Sequence, residues 1–159
     1  MIEGPEVNQD FRFMREALIE ADKARRLGEV PIGAVVVCRG NLVGRGHNRR
    51  ETQKDPTAHA EILAIQDAAR NLGGWRLINT TLYVTVEPCF MCAGALVLAR
   101  VKRLVYGVKD PKMGGIDSLV NLVQFPGINH RVEVTSGVYE AECREIIQRF
   151  FQELRKSKG

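Results

Sequence analysis

The chain predicts an α/β fold in three layers, α/β/α, with a five-stranded mixed sheet built by one domain over residues 1–159. Three observations point there. After an opening hairpin, strand-like runs alternate with amphipathic helical stretches, the pattern of a mainly parallel sheet covered on both faces. The 159 residues, 45% hydrophobic, suffice for one well-buried core and are short for two. A β-branched run at 81–86 leads straight through Pro88 into helical sequence, and ligand sites in open α/β sheets lie beyond such strand ends.

Each element has its own signal. Met14, Ala17, Leu18, Ala21 and Ala24 recur at helical spacing, predicting a helix from a cap at Asn8 or Asp10 to about Leu27, where Gly28 stops it. Residues 32–38 are rich in β-branched side chains, and Arg39-Gly40-Asn41 turns the chain into a second strand over 42–47. The next helix should start near Ala58, carry Ile62, Ile65 and Ala69 inward, and end before Gly73-Gly74. Trp75 then begins the approach to a third strand at 81–86. Pro88 suits the first position of a helix over 89–99, where its missing N–H is no loss, and it keeps Glu87 extended. A fourth strand at 104–108, a glycine-containing loop at 110–115, a short helix at 118–123, a fifth strand at 131–135 and a last helix at 139–155 follow. The step from the third strand to the fourth is long enough for a parallel crossover.

Composition narrows the class. Net charge is +4 and the isoelectric point ≈ 9.0, which permits a polyanionic partner without demanding one. Arg49, Arg50 and Lys54 cluster ahead of the central motif and Arg155, Lys156 and Lys158 make a basic end, which taken alone reads better as a solvated surface. Residues 1–6 are acidic and lack the basic start and apolar stretch of a leader, and no apolar run approaches membrane-spanning length, so a cytoplasmic protein with no membrane partner is expected. Four cysteines suit a reducing compartment without disulfides, with Cys38 and Cys143 as core residues.

The chemistry is carried by His59-Ala60-Glu61 and Pro88-Cys89-Phe90-Met91-Cys92. Alone, a C-x-x-C is most often a structural zinc corner or a redox pair, and a lone His-x-Glu is usually nothing. Together, His59, Cys89 and Cys92 offer one imidazole and two thiolates, the set that holds a catalytic zinc and leaves its fourth tetrahedral position to water. Cys89 and Cys92, three apart, project from one helix face, whereas His59 and Glu61, two apart, do not share one, which leaves Glu61 to face a substrate as proton carrier. Both ligand groups should sit at helix N-termini, where the dipole favours thiolate and the backbone N–H groups of Ala60 and Cys89 can act as donors.

Beyond that set, Asp55-Pro56-Thr57-Ala58-His59-Ala60-Glu61, the segment from Thr81 to Cys89, Met91-Cys92-Ala93-Gly94-Ala95 and Asn129-His130-Arg131-Val132-Glu133 resemble the bacterial tRNA-specific adenosine deaminases over nearly the whole chain. The resemblance implies a cytidine-deaminase-like fold, one Zn2+ per subunit, a homodimer, and hydrolytic deamination of adenosine to inosine at the wobble position of an arginine tRNA anticodon loop, with zinc-activated water and Glu61 as proton shuttle. It also implies that Asn48 hydrogen-bonds the target base and that Asp110 lies near the RNA backbone and ribose. Lys109, Lys112, Asn129, His130 and Arg131 are candidates for phosphate contact, and Phe150 or Phe151 for a splayed base. Ile32 helps wall the base pocket. Phe125 departs from the family, which often has a polar or histidine residue there, so it either stacks on a base or packs under the loop; Val86 stands where leucine is frequent.

Two alternatives stay open. A free-base or nucleotide deaminase shares the same zinc motif, and a non-catalytic RNA-binding protein with structural zinc would share the metal but not the need for Glu61.

Overall fold

The computed structural model describes residues 5–158, and side chains from residue 8 onward; the acidic stretch at 1–6 falls largely outside them. Ten elements follow one another: α1 (Pro5–Arg26), β1 (Gly33–Cys38), β2 (Asn41–His47), α2 (Ala60–Leu72), β3 (Thr80–Val86), α3 (Phe90–Leu98), β4 (Arg103–Val108), a 3-10 turn η1 (Leu122–Gln124), β5 (Glu133–Ser136) and α4 (Glu140–Lys158). The sheet order is β2-β1-β3-β4-β5. Pairing is antiparallel across β2-β1 and β1-β3 and parallel across β3-β4 and β4-β5. The sheet is therefore mixed, and only half its junctions are parallel, because the crossover from β2 through α2 skips β1 to reach β3.

Strand alternation builds the three layers. Val35, Val37, Tyr83 and Val105 point to one face, where Phe13, Met14 and Ala17 of α1 and Cys143 of α4 cover them. Ala34, Val36, Leu82, Val84, Leu104 and Tyr106 point to the other, under α2 and α3. On that second face the innermost stripe of α2 is Ala60, Ala64 and Ala68, while Ile65 and Ala69 pack partly buried beside it and Ile62 is also only half-buried. The larger residues flank that stripe because α2 rests on the backbone of β2. A Cβ on Gly44 would lie 2.5 Å from the Ala64 carbonyl oxygen, and one on Gly46 would lie 2.4 Å from that of Ala60. Only glycine facing alanine permits this approach.

Several boundaries move for identifiable reasons. Neither Asn8 nor Asp10 caps α1, which is already helical at Pro5; the Asp10 carboxylate is buried and takes two bonds from Arg103, at 2.8 and 2.7 Å, and one from the Tyr83 hydroxyl at 2.9 Å. Pro88 is not the first residue of α3, since Cys89 is its N-cap. The helix expected at 118–123 shrinks to η1 because the Leu122 N–H, which such a helix would give to the Ser118 carbonyl, goes to the Gly115 carbonyl at 2.9 Å. β5 starts at Glu133 and not at Arg131, since Val132 bonds back to Val123 and the Arg131 guanidinium to the Gln124 carbonyl. Cys143 is core as expected, whereas Cys38 is only half-buried at the end of β1. No described helix is long and apolar enough to cross a membrane.

Candidate metal centre and substrate cavity

Two helix starts make the floor of the site. His59 is the N-cap of α2 and Cys89 the N-cap of α3; both are extended, and neither side chain forms the capping bond usual at that position. Their side chains are spent on each other. His59 Nδ1 lies 3.6 Å from the sulfur of Cys89 and 3.6 Å from that of Cys92, one turn into α3. A tetrahedral zinc with usual Zn–N and Zn–S bond lengths places its nitrogen and sulfur ligands about 3.6 Å apart, so this donor set fits zinc. His59, Cys89 and Cys92 are also the one group of His, Cys, Asp or Glu among the described residues whose donor atoms all lie within 4.8 Å.

Electrostatics agree with a cation site. Hydrogen bonding from Cys92, and then from His59, pulls the Cys89 thiol down to about 4, while Cys89 and burial push Cys92 up. Hydrogen bonding to Cys89 raises His59. Two sulfurs and an imidazole thus compete for protons that a divalent ion would displace. Glu61, one residue into α2, is 4% exposed, and burial lifts it to about 7. A carboxyl poised there can take up and return a proton near neutral pH. His59 and Glu61 line one cavity without sharing a helix face, because His59 is extended and precedes the helical turn.

That cavity is ≈ 700 Å³, within the range of small-molecule sites. Of the residues singled out in the sequence, Ile32, Asn48, His59, Ala60, Glu61, Cys89, Lys109, Asp110, Lys112 and Phe151 line it. Asn48 is buried at its edge, donating to the Val30 carbonyl and accepting from the Arg50 N–H. Asp110 forms a turn by accepting the N–H groups of Lys112 and Met113. Phe125, Asn129, His130 and Arg131 do not line the cavity. Phe125 is exposed, and His130 Nε2 lies 2.8 Å from the Val101 carbonyl oxygen. Of the two adjacent phenylalanines only Phe151 reaches the cavity.

Sequence reasoning missed three groups. Arg144 and Gln148 of α4 enter the cavity rim, too far along the chain for any local motif to flag them. Glu29 is buried and accepts the N–H groups of Glu51 and Thr52 and the Thr52 hydroxyl, tying down the loop between Asn48 and His59. Glu87 is 2% exposed; burial alone would raise its pKa, but bonds from Ser118, Asp117 and Asp110 outweigh it and hold the carboxyl below its usual value. A glutamate before Pro-Cys was a signal that could have been read, since a charge at a strand end rarely goes unpartnered.

A metal-competent His/Cys/Cys set with a buried glutamate, at the strand ends of an α/β/α sheet, is the arrangement of a hydrolytic deaminase. The MafB19-like deaminase family matches residues 8–155. A tRNA-specific adenosine deaminase of Bacillus subtilis is 53% identical over 152 residues, 96% of this chain and 94% of that one. The Haemophilus influenzae protein of the same description is 50% identical, over 94% of this chain and 87% of its own. A chain solved in a study of A-to-I editing by tRNA:A34 deaminases at the wobble position superposes with a TM-score of 0.82 at 47% identity, covering 85% of this chain and 98% of that one. A guanine deaminase from Nitrosomonas europaea shares the fold at a TM-score of 0.77 and 22% identity, over 94% of this chain and 93% of that one. The chain belongs to the tRNA-specific adenosine deaminase family.

Proposed function

We propose that this chain, acting as one domain, hydrolyses adenosine to inosine at the wobble position of an arginine tRNA anticodon loop. The observation that carries the proposal is Glu61, buried in the same cavity as a donor set whose spacing suits zinc. His59, Cys89 and Cys92 would hold one zinc per subunit, which supplies a Lewis-acid centre that makes water nucleophilic at neutral pH. Glu61 accepts the proton of the attacking water and passes it to ring N1 as C6 is attacked. As the C6 hydroxyl becomes a carbonyl, Glu61 takes its proton and gives it to the departing amine, which leaves as ammonia. Asn48 meets the base edge, Ile32 and Val86 wall it, and Ala60 presents its backbone N–H at the start of α2.

Lys109, Lys112 and Arg144 ring the mouth of the cavity, and Arg50 lies beside Asn48. Their positive charge suits the phosphates on either side of a splayed base, and Asp110 suits a ribose hydroxyl. Asn129, His130, Arg131 and Phe125 lie apart from this mouth, with His130 and Arg131 beside the start of β4, and are assigned to a more distant part of the RNA. Phe90, Met91, Gly94, Ala95 and Leu98 form the outward stripe of α3, with Leu98 71% exposed, and this stripe is the surface proposed for a homodimer. Such an enzyme would work among the tRNAs of the cytoplasm.

The test is an arginine tRNA anticodon stem-loop incubated with the purified protein beside free guanine and deoxycytidylate. Inosine at the wobble position is expected; turnover of the free compounds with none of the RNA would replace the reading by that of a free-base deaminase. Sedimentation at micromolar concentration should give a dimer, and a monomer counts against the α3 stripe.

A further inference from the structure

One buried carboxylate joins the metal turn to the opposite wall of the cavity. Glu87 ends the β3 segment two residues before the ligand Cys89. Its Oε2 accepts the backbone N–H groups of Ile116 at 3.1 Å, Asp117 at 2.8 Å and Ser118 at 2.9 Å. Its Oε1 accepts the N–H of Asp110 at 3.0 Å and the Ser118 hydroxyl. These five donors bracket the stretch in which Asp110, Lys112 and Met113 line the cavity. The Gly115 N–H bonds the Pro88 carbonyl at 2.8 Å, and Gly114 bridges Cys89. A Cβ on Gly114 would stand 2.3–2.5 Å from the Glu87 carboxylate, so glycine is required for the loop to close over it.

We infer that Glu87 is a positioning residue for substrate: it sets the distance between the metal turn and the Asp110–Met113 wall, and so governs how tightly the RNA is held. This rests on the proposed tRNA deamination for its kinetic half alone. Among the described residues the 110–118 loop has no strand or helix of its own, and besides these five bonds its ties to the metal turn are the Gly115–Pro88 bond and the Gly114–Cys89 bridge. The carboxylate acts as the acceptor that a regular element would otherwise have supplied.

The test uses Glu87→Gln, which keeps size and one oxygen. That oxygen stays with the three N–H groups of 116–118, and the new NH2 faces the N–H of Asp110, releasing the start of the wall. Amide hydrogen exchange on the full chain should show Asp110 losing protection about tenfold or more while amides of β3 and α2 keep theirs. With the stem-loop, KM should rise about tenfold and kcat stay within about twofold, the signature of lost binding common to ground and transition states. Zinc content by elemental analysis should match the parent protein. Unchanged exchange at Asp110, or a loss confined to kcat, overturns the inference. If the parent itself leaves the stem-loop untouched, the functional reading fails while the exchange result still decides the clamp. Should Glu87→Gln not fold, Ser118→Ala removes one of the five bonds and should raise KM about threefold with the same kcat; no change in KM overturns the inference as well.

Discussion

The floor and the wall of the cavity are built on different principles. The floor consists of two helix starts whose caps are two of the three proposed metal donors. The wall is a loop without periodicity, held by the Glu87 carboxylate that follows β3. The difference teaches where chemistry and recognition reside. Groups that must stay fixed within a fraction of an ångström are anchored by helix and strand geometry, and groups that meet a large, variable ligand are carried on a loop.

Substitutions can break that contrast or sharpen it. The largest effect is expected at the donors: Cys89→Ala should drop bound zinc from about one per chain toward background, and stem-loop deamination with it. Elemental analysis and inosine formation report both. If Cys89→Ala retains full zinc, the floor is not the metal site. Glu61→Gln comes next, with zinc and melting temperature kept and kcat lower by roughly a hundredfold or more. Turnover equal to the parent would remove Glu61 from proton transfer.

A smaller loss is expected where the floor meets the sheet. Gly46→Ala drives a methyl into the Ala60 carbonyl at the start of α2, an overpacking that costs about 2–3 kcal/mol. For a chain of this size that is a fall of roughly 5–10 °C in Tm by calorimetry. An unchanged Tm would mean that α2 can back away, and the floor is softer than its contacts imply.

The wall and rim should answer differently, in KM. Asn48→Ala removes the polar group at the cavity edge and should raise KM about five- to tenfold. Arg131→Ala, outside the cavity, should raise it about threefold and shrink the slope of log affinity against log salt by about one unit, as one lost phosphate contact would. A kcat effect of either change larger than its KM effect would erase the contrast between floor and wall.

The same contrast explains what could be read in advance. His59, Glu61, Cys89 and Cys92 lie in two short motifs whose spacing carries the chemistry, and the strands and helices around them follow hydrophobic period. The wall did not announce itself, because its structure depends on Glu87 reaching residues about thirty positions later. A helix was expected at 118–123 because nothing in its period says that the Leu122 N–H reaches back to the Gly115 carbonyl. Asp10 misled in the same way, since a capping residue and the partner of a distant arginine look alike in one dimension. The α2 stripe was misjudged by size. Ile62 and Ile65 outrank alanine in hydrophobicity, but Gly44 and Gly46 admit only alanine beneath the helix.

That seating of α2 on the glycines of β2 bears on how such an enzyme can change over generations. With backbone against backbone, the helix has no slack to take up, so mutational drift in what is recognised has to travel through the 110–118 segment and the end of α4. New specificities can then arise there while the reaction itself is inherited intact.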